Sequence, residues 1–137
     1  MINTKILRPI NWENLIRLGR DNDGGYVIPY EIISKTNVLL SYGINKDWSF
    51  EKCFIKKNSK VDIHCYDHTL NLFALIRYTI TSILLVPLYC ITFDRKRLKK
   101  CIHGIFILPD YYIFFRKKVK HFKYRIWNTN VDNSKTI

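Results

Sequence analysis

Two residues at the ends of two predicted strands have the chemistry to bind the nucleoside part of a ligand. Gly43 follows the apolar run 37–42, and Asp67 follows the alternating run 61–66. A glycine lets a ligand approach the backbone closely because it has no Cβ atom, and a carboxylate can accept hydrogen bonds from two adjacent hydroxyls. Open α/β sheets bind their ligands at the carboxyl ends of their strands. The pattern therefore predicts the first half of a nucleotide-type binding site.

The elements that position these residues form a predicted β-α-β unit. Residues 37–42 lack polar alternation, so this strand is expected to be covered on both faces, as in a parallel sheet. Asp47 stands where a helix N-cap is expected, and Phe50 and Phe54 fall on one side of the helix that follows. Residues 61–66 alternate between apolar and polar, which indicates an edge position or one wetter face. The predicted fold class is α/β, with a partial, Rossmann-like parallel sheet followed by basic, apolar helices.

The N-terminal residues predict a helix. Asn11 is a suitable N-cap, Trp12, Leu15 and Ile16 would share one face, and Gly19 is placed to end the helix.

A turn is predicted after this helix. The sequence Asp-Gly-Gly at 23–25 favours positive φ and precedes the strand-like residues 26–28. It indicates either a hairpin or a turn into an edge strand. Gly24 and Gly25 have two interpretations, a loop shaped for a ligand and a turn that needs backbone freedom.

The second half of the chain is apolar and then strongly basic. Residues 70–93 are almost uniformly apolar, but the uncharged run 78–93 is shorter than the roughly 20 residues that a membrane-spanning helix needs. Residues 95–125 contain eleven Lys and Arg against the single Asp110, so this segment carries +10 of the net charge of +12. Interleaved basic and aromatic residues favour a helical hairpin with cationic faces. Residues 128–137 are polar and unpatterned, which predicts a flexible tail.

The basic segment has three interpretations. It can be a solvated helical pair, or it can contact an anionic membrane surface or a lipid-linked glycan. Nucleic acid is the least favoured partner, because the aromatic residues cluster in apolar runs and no recognised DNA- or RNA-binding motif surrounds them.

Composition predicts one modest domain in the cytoplasm. The chain has 137 residues, of which 47% are hydrophobic, and its first residues do not form a cleavable signal peptide. Cys53, Cys65, Cys90 and Cys101 are spaced without close pairing, which is typical of reduced thiols in the cytoplasm. No metal site is predicted, because no CxxC pair exists to complete a tetrahedral set of ligands.

Three short motifs resemble a known family. They are Leu-Gly-Arg-Asp-Asn-Asp-Gly-Gly-Tyr-Val-Ile at 18–28, Leu-Ser-Tyr-Gly-Ile at 40–44 leading to Trp-Ser-Phe-Glu at 48–51, and Tyr-Asp-His-Thr at 66–69. In this order they resemble the N-terminal portion of FkbM-type, S-adenosylmethionine-dependent methyltransferases, which are often associated with bacterial surface polysaccharides. The resemblance covers less than half of the chain.

The resemblance implies a cofactor and its contacts. S-adenosylmethionine would place its methionine part near Gly43 and its ribose hydroxyls on Asp67, with Ser41, Tyr42 and Glu51 nearby. The acceptor would be a sugar hydroxyl of a surface glycan or lipid-linked glycan. The resemblance carries over no catalytic residue.

The chain also departs from this family. Such methyltransferases have a later strand with an Asp-x-Glu-Gly type motif, and no such motif follows Asp94. This predicts an N-terminal piece of a longer enzyme, with a methyltransferase-like part at 1–69, a helical insertion-like region at 70–127 and a tail at 128–137. The alternative is a non-catalytic peripheral membrane protein with an apolar segment and a polybasic patch. Both functions stay open at the level of sequence.

Overall fold

A computed structural model describes residues 11–21, 24–116, 118–127 and 134–136. The fold is mixed α/β, with seven strands and four helices in the described part of the chain. In order, the elements are β1 (Leu15–Gly19), β2 (Gly25–Pro29), α1 (Tyr30–Lys35), β3 (Val38–Tyr42), α2 (Ser49–Lys57), β4 (Asp62–Tyr66), α3 (Leu72–Ile91), α4 (Arg95–Phe114), β5 (Val119–Phe122), β6 (Arg125–Trp127) and β7 (Ser134–Thr136).

The prediction of a helix that ends at Gly19 is wrong, because Leu15–Gly19 form the strand β1. β1 pairs antiparallel with β2, from Leu15 opposite Pro29 to Gly19 opposite Gly25. Gly19 has φ of +88°, and a Cβ there would lie 2.1 Å from the carbonyl oxygen of Gly24. Local spacing favoured a helix, but pairing with the next strand, β2, determines the conformation. Of the two alternatives that the Asp-Gly-Gly sequence left open, a hairpin and a turn into an edge strand, the structure has the hairpin. Asn22 and Asp23 lie outside the described residues.

The predicted β-α-β unit is confirmed. β3 and β4 are parallel neighbours with Val38 opposite Asp62 and Tyr42 opposite Tyr66, and α2 connects them. β5 adds a third parallel strand on the far side of β4, so the sheet order is β3-β4-β5. The N-cap expected at Asp47 is instead Trp48. The Asp47 carboxylate still accepts a hydrogen bond from the backbone N–H of Ser49 at 3.0 Å, which satisfies a donor in the first turn of α2.

The expectation that β3 is covered on both faces is wrong. Val38, Leu40 and Tyr42 are each about half exposed, whereas the alternating Leu39 and Ser41 are less exposed. Among the described strands β3 has only β4 as a neighbour, so it is an edge strand. A continuous apolar run reveals the propensity for a strand but not which elements cover its two faces.

The second half of the chain is a helical hairpin inserted between two neighbouring strands. α3 and α4 pack closely: a Cβ added to Gly104 of α4 would lie 2.0 Å from the Ser82 hydroxyl oxygen of α3. The basic, apolar helices predicted after the sheet are present, but the hairpin predicted within 95–125 is wrong. That segment contains one helix, α4, which pairs with α3, and β5 and β6 follow Phe114. Of the predicted flexible tail only β7 lies within the described residues.

One hydrophobic core joins the sheet to the hairpin. Its fully buried members come from α2, the β4 region and both long helices, and they are Phe54, Val61, Ile63, Cys65, Leu70, Leu75 and Ile107. Because Leu75 and Ile107 belong to this cluster, the hairpin packs against the sheet and is not a separate appendage.

Candidate functional site

The carboxyl ends of β3 and β4 lie side by side. The backbone N–H of Gly43 donates to the carbonyl oxygen of Tyr66 at 2.9 Å, so Gly43 and Asp67 follow directly from two paired strands. Gly43 has φ of +67°, and no atom lies within 4 Å of the position that a Cβ would take. The sequence-based expectation that these two residues are neighbours is confirmed, and the bare backbone of Gly43 faces open space.

The Asp67 side chain joins the loops that follow the two strands. Its Oδ2 accepts from the backbone N–H of Asn45 at 2.6 Å, and its Oδ1 accepts from the N–H and hydroxyl of Thr69 and from the N–H of Leu70. Burial raises the pKa of Asp67, but the hydrogen bonds from Thr69, Asn45 and Leu70 outweigh this, and the pKa lies below its usual value. Asp67 is therefore held as a carboxylate whose first role in this fold is structural.

A second carboxyl group lies beneath the same strand end. Glu51 of α2 is only 4% exposed and accepts a hydrogen bond from the hydroxyl of Ser41 on β3. Burial raises the pKa of Glu51, the Ser41 hydrogen bond opposes this rise, and the charge of Asp47 adds to it. Glu51 thus binds a proton more readily than an exposed glutamate does.

A cavity of about 520 Å³ opens at the carboxyl end of β3. Four of the five residues predicted from the sequence line it, namely Ser41, Tyr42, Gly43 and Glu51. This volume lies within the range of roughly 300 to 1,000 Å³ that small-molecule sites occupy.

The fifth predicted residue, Asp67, lines a smaller neighbouring cavity of about 320 Å³. Tyr42 and Gly43 border both cavities, and the Tyr42 ring stacks on the Tyr66 ring with centroids 5.5 Å apart. The predicted residues therefore surround one strand end but line two neighbouring cavities, which share Tyr42, Gly43 and Asn45 in their linings.

Sequence reasoning missed the cationic wall of the larger cavity. Arg20, Lys46, Lys100 and His103 line it. An Arg20 guanidinium nitrogen lies 3.2 Å from Nε2 of His103. Burial, followed by the charge of Arg20, lowers the pKa of His103, which favours the neutral imidazole. No local pattern could reveal this wall, because residues more than eighty positions apart form it.

No grouping of three or more His, Cys, Asp or Glu side chains within the described ranges could hold a metal ion. The described residues contain one helix, α3, that is long and apolar enough to cross a membrane by length and composition, and 11% of its most apolar window is buried. Comparisons of the chain with protein-family models, with curated proteins and with solved structures returned no significant match.

Proposed function

We propose that this protein is an S-adenosylmethionine-dependent methyltransferase-like protein with a partial Rossmann-like sheet, of the kind that acts on sugar hydroxyls of surface polysaccharides. The observation that supports it best is the open space in front of Gly43, at the carboxyl ends of two paired parallel strands and beside Asp67. This is the place where open α/β sheets bind nucleoside cofactors. The bound cofactor would supply an activated methyl group, and the chain's own residues would bind and orient it.

The hydrogen bonds of Asp67 limit how it could hold a ribose. A carboxylate oxygen can accept about two hydrogen bonds, and Oδ1 already accepts three while Oδ2 accepts one. We therefore expect Oδ2 to accept from one ribose hydroxyl while it keeps the bond from Asn45. If both carboxylate oxygens of Asp67 accepted from ribose hydroxyls, the loop at Thr69 would have to move away from Oδ1.

The larger cavity would take the remainder of the cofactor and the acceptor. Ser41 and Glu51 lie at its floor, and Lys46, Lys100 and His103 line its wall.

Calorimetric titration with S-adenosylmethionine and with its demethylated product tests this proposal. We expect the wild-type chain to bind both, and Gly43→Asn to weaken binding at least about ten-fold, or about 1.4 kcal/mol. Asparagine tolerates positive φ, so the variant should fold while its side chain fills the ligand space. The matched control is Ser59→Asn, in the exposed turn that precedes β4, at the amino-terminal ends of the strands and away from the cavity. A folded wild-type chain that binds neither compound would refute the proposal.

We also propose a cytoplasmic location with membrane association. The cysteines Cys53, Cys65, Cys90 and Cys101 are all free, which suits a reducing compartment. The exposed apolar surface of α3 supports the membrane part of this proposal and would serve either an enzyme or a non-catalytic protein. The calorimetric titration separates these two, because only the enzyme requires the cofactor to bind.

A further inference from the structure

Helix α3 exposes a mainly apolar stripe along its length, interrupted by one charged residue on the same face, the exposed Arg77. The stripe consists of Phe73, Ile76, Ile80, Leu84, Leu88 and Ile91, which follow one another at helical spacings of three or four residues. Phe73 is 75% exposed, Leu84 71% and Ile91 76%. At 1.5 Å per residue the stripe is about 27 Å long. Soluble monomers rarely expose this many large apolar side chains on one helix face, so the stripe indicates an interaction surface.

The topology of the hairpin indicates that α3 lies along a membrane surface and does not cross it. α3 leaves β4 and α4 returns to β5, and these two strands are direct neighbours in one sheet. If α3 crossed a bilayer, the basic start of α4 would have to cross with it. The opposite face of α3 is also committed to α4, through buried Ser82 and through the Thr79 hydroxyl, which donates to the carbonyl oxygen of Gly104.

A basic cluster adjoins the end of the stripe. Arg95, Lys96, Lys99 and Lys100 are exposed on the first two turns of α4, and they form no ion pair with any described residue. Arg97 pairs with Asp94, its N-cap residue, at 3.3 Å. Phe93, between the two helices, is 87% exposed. Apolar side chains beside unpaired cations complement a surface that offers acyl chains together with negative headgroups.

We propose that the α3–α4 hairpin docks on the surface of an anionic lipid bilayer. The stripe of α3 lies at the boundary between headgroups and acyl chains, and the basic cluster of α4 contacts the headgroups. The same hairpin supplies Tyr78, Lys100 and His103 to the larger cavity, so docking holds that cavity close to the lipid surface. This proposal does not depend on methyltransferase activity.

Sedimentation of the full chain with vesicles tests the docking. We compare vesicles of pure phosphatidylcholine with an equimolar mixture of phosphatidylcholine and anionic phosphatidylglycerol. The wild-type chain should bind the anionic vesicles more tightly, and added salt should weaken that binding. Lys96→Gln with Lys99→Gln should lower the affinity by about five-fold for each lysine removed. Lys56→Gln with Lys60→Gln, on exposed residues outside the hairpin, leaves it unchanged.

The apolar stripe is tested separately. Leu84→Ser should weaken binding about ten-fold, whereas Ile32→Ser, at an exposed apolar position on α1, should not. Circular dichroism confirms that each variant is folded. Leu84→Trp provides an independent readout, because its fluorescence should shift to the blue on addition of anionic vesicles.

Four results would overturn the docking proposal. The first is a folded wild-type chain that does not bind anionic vesicles. The second is vesicle binding whose affinity none of the hairpin variants changes. The third is a dimer in analytical ultracentrifugation that Leu84→Ser dissociates while vesicles bind no protein, since a second copy would then cover the stripe. The fourth is a Leu84→Ser chain that high salt does not release from anionic vesicles and that only detergent releases. The hairpin would then insert into the bilayer and not lie on its surface.

Discussion

Asp67 holds two loops in place with one side chain, and this role can be measured without any ligand. Its oxygens accept hydrogen bonds from the loop after β3, at Asn45, and from the loop after β4, at Thr69 and Leu70. The side chain is only 5% exposed, so donors that lose this acceptor have little access to water. Any contact with a ribose is added to this structural role.

Asp67→Asn should therefore lower the free energy of unfolding by about 2 kcal/mol, because one oxygen is replaced by an NH₂ group that faces N–H donors. Urea denaturation followed by circular dichroism measures the change. Asp62→Asn, at the exposed first residue of β4, is the matched control and should have little effect. Equal stabilities of the two variants would show that the Asp67 hydrogen bonds do not support the fold.

Glu51 and Asp67 should give opposite dependences of stability on pH. The pKa of Asp67 is lowered in the fold, so its contribution is present above the unfolded value of about 3.9 and is lost as pH falls through the folded pKa. The pKa of Glu51 is raised, so its contribution is present below about 4.3 and is lost as pH rises through the folded pKa.

Glu51→Gln should accordingly raise the free energy of unfolding at neutral pH, since the amide keeps an acceptor for Ser41 without a buried charge. The gain should shrink as the pH is lowered, because wild-type Glu51 is then protonated. Unfolding curves recorded from neutral to acid pH check both statements. A destabilised Gln variant at neutral pH would mean that the charge of Glu51 is needed in the fold.

At the scale of elements, the hairpin and the sheet share one core. Ile107 of α4 is fully buried in the cluster that also contains Ile63 of β4 and Phe54 of α2. Asp110, one turn further along α4, pairs with Lys52 and accepts from the indole N–H of Trp48 at 3.0 Å. We therefore expect α4 to unfold together with the sheet.

Ile107→Ala should lower the free energy of unfolding by about 3 kcal/mol, through lost burial and the cavity left behind. Ile113→Ala is the matched control on the same helix, because its side chain is 68% exposed. Hydrogen exchange should show faster opening in β4 as well as in α4 for the Ile107 variant. Faster exchange confined to the hairpin would contradict a shared core.

At the scale of the whole molecule, net charge and apolar surface act against each other. The chain carries +12, which keeps molecules apart at low salt, while the stripe of α3 and the half-exposed side chains of β3 favour association. β3 also has an unpaired edge among the described strands. Unpaired strand edges promote aggregation.

In the absence of lipid, the chain should therefore self-associate as salt is added, because screening removes the repulsion and leaves the apolar contacts intact. Light scattering at increasing salt measures this. Leu84→Ser should shift association to higher salt or higher protein concentration, whereas Ile32→Ser should not. A wild-type chain that stays monomeric at high salt would show that the exposed stripe does not drive self-association.

Local patterns in the sequence were sufficient for the β-α-β unit and for basic, apolar helices after it, but not for the pairing of α4 with α3. Apolar runs, an acidic residue before α2 and glycines at turns act over a few residues, so their effects can be predicted from neighbours in the chain. The proximity of Gly43 and Asp67 followed from parallel pairing of the strands that precede them.

Contacts between elements decided the rest. β1 is a strand and not a helix because β2 pairs with it, and β3 is half exposed because the elements around it cover it incompletely. The wall of Arg20, Lys100 and His103, and the hydrogen bonds that occupy Asp67, join residues from distant parts of the chain. Their positions depend on how the hairpin packs against the sheet. Periodicity and spacing in the sequence do not predict that packing.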